Sequence, residues 1–127
     1  MEPVESIIFI RKQWMTGQMS AYGFQKQGDS YVLKKTFFNG DFLSILSVDA
    51  TEQLTGRVLD TMTQDDYDPL YQKNAQGAYV SRVRAAYVEL LEDIAACCCR
   101  DVLFASPQAN RLTEAILADF QVSPDFP

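Results

Sequence analysis

The side chains best suited to chemistry are three consecutive cysteines, a cluster of aspartates and two arginines of one predicted helix. Cys97, Cys98 and Cys99 would point about 100° apart in a helix, so they cannot converge on one metal ion. The sequence contains no histidine to complete such a site. A reactive thiolate needs a nearby cation, and only Arg100 is adjacent. We predict that the three thiols are reduced, bind no metal and serve mainly as small hydrophobic groups.

The aspartate cluster lies in a polar connection that runs from Thr63 to Gln76 and contains a proline. Asp65, Asp66 and Asp68 have the chemistry of calcium ligands, but the glycine and the distant glutamate of an EF-hand loop are missing. We therefore interpret them as solvated loop carboxylates.

Most common catalytic arrangements are excluded by composition. Ser-His-Asp and Cys-His catalysis both need histidine, and the sequence has no glycine-rich phosphate-binding loop. Asp41, Asp49 and Asp60 are predicted near strand ends, but carboxylate pairs of this kind occur in any acidic protein. We predict a protein that is not an enzyme and needs no cofactor.

Arg82 and Arg84 lie on the long helix predicted after Gly77. Arg84 has two interpretations: a structural ion pair with Asp60 or another carboxylate of the predicted strands, or a contact to a bound anion. Arg82 is a second candidate for that anion contact.

The overall composition is that of one globular domain. The chain has 127 residues, and its formal charge of −6 repels phosphate backbones and anionic lipid surfaces. Its basic residues come in pairs rather than in a stripe, so we expect no nucleic-acid partner. The longest apolar run, Ile7 to Ile10, is far shorter than the ~20 residues of a membrane span. The start of the chain lacks secretory-signal features, which predicts a cytoplasmic protein with no membrane association.

The periodicity of apolar residues predicts an α+β fold. A short first helix is expected between Val4 and Gln13, and a second from Thr16 to Tyr22 that stops at Gly23. Strand-like runs separated by turn residues form an antiparallel meander of three to four strands: 24–27, 30–38, 42–48 and 54–62. The third run is apolar on both faces, which predicts a central strand. A helix of some twenty residues after Gly77 packs against the meander, and a C-terminal helix begins at Ser106-Pro107.

Several stretches also carry a resemblance to a known family. They are Tyr22-Gly23-Phe24, Gly28-Asp29-Ser30-Tyr31, Asn39-Gly40-Asp41-Phe42, 77–87 and 103–111. Together they resemble the leading domain of bacterial MmcQ/YjbR-family proteins, in which a second domain described as DNA-binding follows. The resemblance implies a single α+β domain over 1–103, with 104–127 as the start of a truncated second domain. Because the chain stops at Pro127, the DNA-binding property does not transfer, and a bacterial cytoplasmic accessory domain is implied.

Two functions remain open from the sequence. The first is an interaction or regulatory domain that binds a protein partner or a second copy of itself. Its surface would include the loop aromatics Tyr67 and Tyr71 and the C-terminal Phe120 and Phe126, which we expect to pack on this domain or on a second copy. The alternative is a domain that holds an anion or metabolite between the meander and the long helix, with Arg82 or Arg84 as the charge partner. A deep pocket lined by one of those arginines would favour the alternative, and a flat apolar patch the interaction domain.

Overall fold

The computed structural model describes residues 4–10, 12–72 and 77–101. Its helices are α1 (Val4–Phe9), α2 (Thr16–Tyr22) and α3 (Ala78–Cys98), with a single 3₁₀ turn at Asp68–Leu70. Its strands are β1 (Lys12–Trp14), β2 (Gln25–Gln27), β3 (Ser30–Phe37), β4 (Phe42–Val48), β5 (Leu54–Asp60) and β6 (Cys99–Asp101).

Strands β2 to β5 form the predicted antiparallel meander, in the order β2-β3-β4-β5. The turn after β2 contains Gly28 at φ 62°, and the turn after β3 contains Gly40 at φ 83°, which are backbone angles that glycine adopts without strain. β4 lies between β3 and β5, as its two apolar faces predicted. Leu33 and Phe37 of β3 are buried in the core.

The long helix α3 covers the inner face of the sheet. Val83, Tyr87, Leu91 and Ile94 are fully buried and recur at three- and four-residue steps. They pack with buried sheet residues such as Leu46 in a single core cluster. Each buried apolar side chain contributes ~1.5 to 3 kcal/mol relative to exposure, so the stripe on α3 is the main source of the helix's stability. The α+β class, the meander and the packing helix are therefore confirmed.

A second, two-stranded sheet was not predicted. β1 pairs with β6 in antiparallel register, and Trp14 lies opposite Cys99. The Trp14 ring stacks on Phe9, with ring centroids 4.9 Å apart, and a Lys12–Asp101 ion pair closes the far end at 2.5 Å. The prediction that the first helical segment reaches Gln13 was wrong, because the chain after α1 is tied to the end of α3 instead.

Several predictions fall on residues outside the described part of the chain. These are the C-terminal helix from Ser106, the segment 104–127 and the surface role of Phe120 and Phe126. None of the helices in the described part is long and apolar enough to cross a bilayer.

Candidate functional site

Arg84 is a structural residue that holds the loop before α3. Its side chain is buried, with 4% exposure, although it carries a guanidinium group. Nε donates to the Leu70 carbonyl at 3.3 Å, and Nη2 donates to the carbonyls of Pro69, at 2.9 Å, and Gln72. Burial lowers the pKa of Arg84 from its usual value. The predicted pairing with Asp60 is wrong.

Asp60 is engaged close to its own position in the chain. Its carboxyl oxygen accepts hydrogen bonds from the backbone N–H groups of Met62 and Thr63. Arg84 therefore donates its hydrogen bonds to backbone carbonyls of the 3₁₀ turn, where the sequence had predicted a carboxylate partner. Arg82 is exposed on α3, so the structure does not bring the two arginines together at one site.

The prediction that Tyr67 and Tyr71 are exposed loop aromatics is also wrong. Both are partly buried against the core. The Tyr67 ring lies 4.6 Å from the Phe42 ring, and the Tyr71 hydroxyl donates to Glu5 Oε1 at 2.5 Å. The 3₁₀ turn between them folds the segment back onto the domain and buries Leu70 completely. Tyr67, Leu70 and Tyr71 therefore pack against the core, which the polar composition of the loop did not indicate.

A buried carboxyl group at α1 was missed by the sequence analysis. Glu5 is 2% exposed, and its Oε1 accepts hydrogen bonds from Tyr71 and from Tyr87 of α3, each at 2.5 Å. Burial and the neighbouring carboxyl group raise the pKa of both tyrosines far above the usual value, so both hydroxyls stay protonated and donate. The cluster joins α1, the loop and α3. Its burial makes it a structural clasp rather than a site that a substrate reaches.

An open groove lies between β3 and α3. It has a volume of about 600 Å³. Its lining consists of four charged residues, four apolar residues and one threonine: Lys35, Glu89, Glu92 and Asp93; Phe37, Phe38, Ala86 and Leu90; and Thr36. Leu90 and Phe37 are buried and form its floor, whereas Glu89, Glu92 and Asp93 are exposed on the helix wall. Neither Arg82 nor Arg84 lines it.

The strand wall of the groove is a free sheet edge. β2 pairs with β3 only over Ser30–Val32, so Leu33–Phe37 has a partner strand on the β4 side alone among the described residues. Ser30 closes the turn opposite Gln27, which turns its backbone groups toward β2. Backbone groups alternate sides along a strand, so those of Lys34 and Thr36 point to the same side, beyond the end of β2.

The backbone carbonyl of Lys35 faces β4, which agrees with this alternation of backbone groups. This carbonyl accepts a hydrogen bond from Ser44 Oγ of β4 at 2.8 Å. The backbone groups of the residues before and after Lys35 are therefore the ones that face away from β4. Both of those residues, Lys34 and Thr36, are exposed.

The charges of the groove are mostly negative. Tyr22 donates to Asp93 Oδ2 at 2.7 Å and accepts a hydrogen bond from Lys35 Nζ at 3.3 Å. Partial burial and Asp93 together raise the pKa of Tyr22. Lys35 is therefore held at one end of the groove, with Nζ 4.7 Å from the Tyr22 ring centroid. Glu89 and Glu92 make no ion pair with any residue in the described ranges.

A smaller cleft of about 390 Å³ lies between β1, α2 and the two hairpin ends. Two of the three carboxyl groups that line it, those of Asp49 and Glu52, are engaged within the protein. Asp49 accepts hydrogen bonds from Thr51 and Gln53, which lowers its pKa, and Glu52 accepts the backbone N–H of Trp14 at 3.0 Å. The Asp49 carboxylate in this cleft therefore stabilises the loop between β4 and β5.

The cysteines and aspartates form no metal site in the part of the chain that the structure covers. Cys97 is exposed, whereas burial raises the pKa of Cys98 to about 11 and that of Cys99 to about 12. Asp66 pairs with Arg57, with Nε and Oδ1 2.6 Å apart. Comparisons with protein-family models, with curated proteins and with solved structures find no match for this chain.

Proposed function

We propose that this chain is a non-enzymatic interaction domain that binds a segment of a partner protein in the groove between β3 and α3. One observation supports the proposal above all: a strand edge that no described residue pairs with runs beside a groove whose floor is apolar. Sheet edges of this kind bind extended peptides through main-chain hydrogen bonds, and the neighbouring pockets supply specificity. In line with the MmcQ/YjbR resemblance, we place the domain in a bacterial cytoplasmic protein as an accessory module.

Natural proteins protect a free edge against indiscriminate pairing with charged residues, especially lysine. Lys34 and Lys35 of β3 are exposed at this edge. Two adjacent lysines reduce aggregation and leave the edge open to a partner whose charges suit the groove. The lysines therefore restrict which strand pairs here, while the edge itself stays accessible.

The alternative function, binding of an anion or metabolite between the meander and α3, fits the groove less well. Its helix wall carries Glu89, Glu92 and Asp93, which repel an anion. The arginines expected to attract one are elsewhere: Arg82 is exposed outside the groove, and Arg84 binds loop carbonyls.

A display selection with random seven-residue peptides tests the proposal. The selection uses the wild-type chain and two variants with the same substitution at neighbouring α3 positions. Ala86→Trp fills the groove that Ala86 lines, whereas Ala85→Trp places the same side chain at an exposed position outside the lining. Circular dichroism and thermal unfolding first establish that both variants are folded.

We expect peptides that bind the wild type and Ala85→Trp equally and bind Ala86→Trp at least about tenfold more weakly, which corresponds to ~1.4 kcal/mol. A selection without enrichment, or one whose peptides bind all three proteins equally, would contradict the proposed function.

A further inference from the structure

We infer that the groove takes a basic, extended peptide, with lysine or arginine four residues apart on either side of the residue opposite Lys35, that adds to β3 as a fifth strand of the meander. The inference rests on the proposed function and specifies its partner. Three features support it: the direction of the free backbone groups, the charge of the helix wall and the charges of the competing occupants.

The free edge sets the conformation of the occupant. Lys34 and Thr36 together present two N–H donors and two C=O acceptors on the side where β2 has ended. Only another extended backbone satisfies donors and acceptors that alternate along a strand in this way. The edge covers Leu33–Phe37, or about 16 Å at ~3.3 Å per residue, so about five residues of the peptide pair with it.

The helix wall sets the charge of the occupant. Side chains of an added strand alternate between the two sheet faces, so every second one points toward α3. There they meet Glu89, Glu92 and Asp93, which are exposed along the groove. Glu89 and Glu92 have no partner of opposite charge among the described residues. Lysine or arginine at positions i and i+4, on either side of the residue opposite Lys35, reaches these carboxylates, and its aliphatic stem covers the apolar floor.

A second copy of this chain fits the groove poorly. Edge-to-edge pairing of two β3 strands through Lys34 and Thr36 would put Lys35 directly opposite Lys35 of the second copy, and like charges in that arrangement are destabilising. The two α3 helices would also lie on the same face of the joined sheet, so that the acidic walls face each other.

The end of this chain is also a poor match in charge. Residues 102–127 contain Arg111 as their basic residue, against Glu114, Asp119 and Asp125. A separate basic segment is the occupant whose charge complements the groove.

The residues enriched in the selected peptides test the inference separately from the proposed function. We expect the peptides that depend on the groove to be enriched in lysine or arginine at positions four residues apart. Groove-dependent peptides without that enrichment would overturn the inference and leave the proposed function standing. If no peptide depends on the groove, both fail.

Two measurements on the strongest groove-dependent peptide complete the test. The double variant Glu89→Gln/Glu92→Gln is expected to weaken binding several-fold, up to roughly tenfold, because it removes two exposed ion pairs with the peptide. Asp65→Asn/Asp68→Asn removes the same charge at exposed loop positions and is expected to leave binding unchanged. Equal weakening by both variants would show that net charge, rather than the helix wall, attracts the peptide.

Strand addition has its own signature in backbone hydrogen exchange. The amides of Lys34 and Thr36 are expected to exchange at least about tenfold more slowly with the peptide bound, because each gains a main-chain hydrogen bond. Methylation of alternate peptide nitrogens on the β3 side is expected to abolish this protection and weaken binding. Unchanged exchange at both amides on saturation would overturn the inferred binding mode.

Discussion

Gly56 of β5 lies against the buried side chain of Glu5, and this contact predicts how a larger residue at position 56 affects stability. A Cβ atom at position 56 would be 2.5 Å from Glu5 Oε1 and 2.8 Å from its Cγ, closer than side-chain atoms approach in real proteins. The same Oε1 atom accepts hydrogen bonds from Tyr71 and Tyr87. The carboxyl group therefore cannot move away without losing both bonds. We predict that Gly56→Ala destabilises the fold.

The magnitude follows from the two ways in which the structure can respond. If the packing absorbs the extra methyl group, overpacking costs ~1 to 3 kcal/mol. If Glu5 moves instead, two hydrogen bonds to its carboxyl group are lost, at ~1.5 to 3 kcal/mol each. The cheaper response sets the cost, so we expect a loss of about 2 kcal/mol in the free energy of unfolding. For a chain of this size that corresponds to a fall of roughly 8 °C in Tm.

Urea denaturation of the wild type, Gly56→Ala, Glu5→Ala and the double variant measures this coupling. In the Glu5→Ala background the clash is gone, so Gly56→Ala should be neutral or stabilising by up to ~1 kcal/mol. Gly17→Ala is the control, because a Cβ at this exposed position of α2 meets nothing within 4 Å. It should stabilise the wild type slightly. If Gly56→Ala costs the same in both Glu5 backgrounds, the reasoning is refuted.

Three further predictions concern thiols, alkaline pH and DNA. With a thiol reagent at mildly alkaline pH, Cys97 should react first, whereas Cys98 and Cys99 should react only as fast as the protein unfolds. The reason is that Cys98 and Cys99 are buried and their pKa values are raised to about 11 and about 12. Equal reaction rates for the three thiols would contradict this prediction. The folded-state pKa values of Tyr71 and Tyr87 lie above the ordinary 10.0, so their contribution to stability is complete below pH 10 and is lost as pH rises above it. Circular dichroism and tyrosinate absorbance should therefore change together, and ionisation of all tyrosines in the still-folded chain would refute that assignment. Anisotropy titration with duplex DNA at physiological salt should show no binding tighter than about 1 μM, given the net charge of −6.

The meander was predictable because its determinants are local. Alternation of apolar residues and turn residues at fixed positions identified all four strands of the sheet to within two residues at each end. The strand that was expected to reach Phe38 ends at Phe37, because Phe38, Asn39 and Gly40 all adopt positive φ. The run expected to reach Met62 ends at Asp60, whose carboxyl group binds the next backbone N–H groups. Both ends are set by turn geometry that apolar patterns do not encode.

The buried polar groups were not predictable because their partners are distant in sequence. Glu5 and Tyr87 are 82 residues apart, and an acidic residue in a first helical turn is ordinarily interpreted as favourable to the helix and solvated. Arg84 was correctly placed on α3, but its partners are carbonyls of a loop with no periodic pattern. The pairing of β1 with β6 joins two three-residue segments, which are too short to show alternation.

The groove itself results from a mismatch of lengths that no single segment shows. β2 has three residues and β3 has eight, so in the part of the chain that the structure describes the far half of β3 has no neighbouring strand on that side. α3 has 21 residues and passes alongside this free half with its acidic side exposed. A β2 long enough to pair with Lys34 and Thr36 would close the edge, and the carboxylates of α3 would then be an ordinary solvated helix face. In the binding mode we propose, the carboxylates of α3 select a basic partner only because the strand beside them is incomplete.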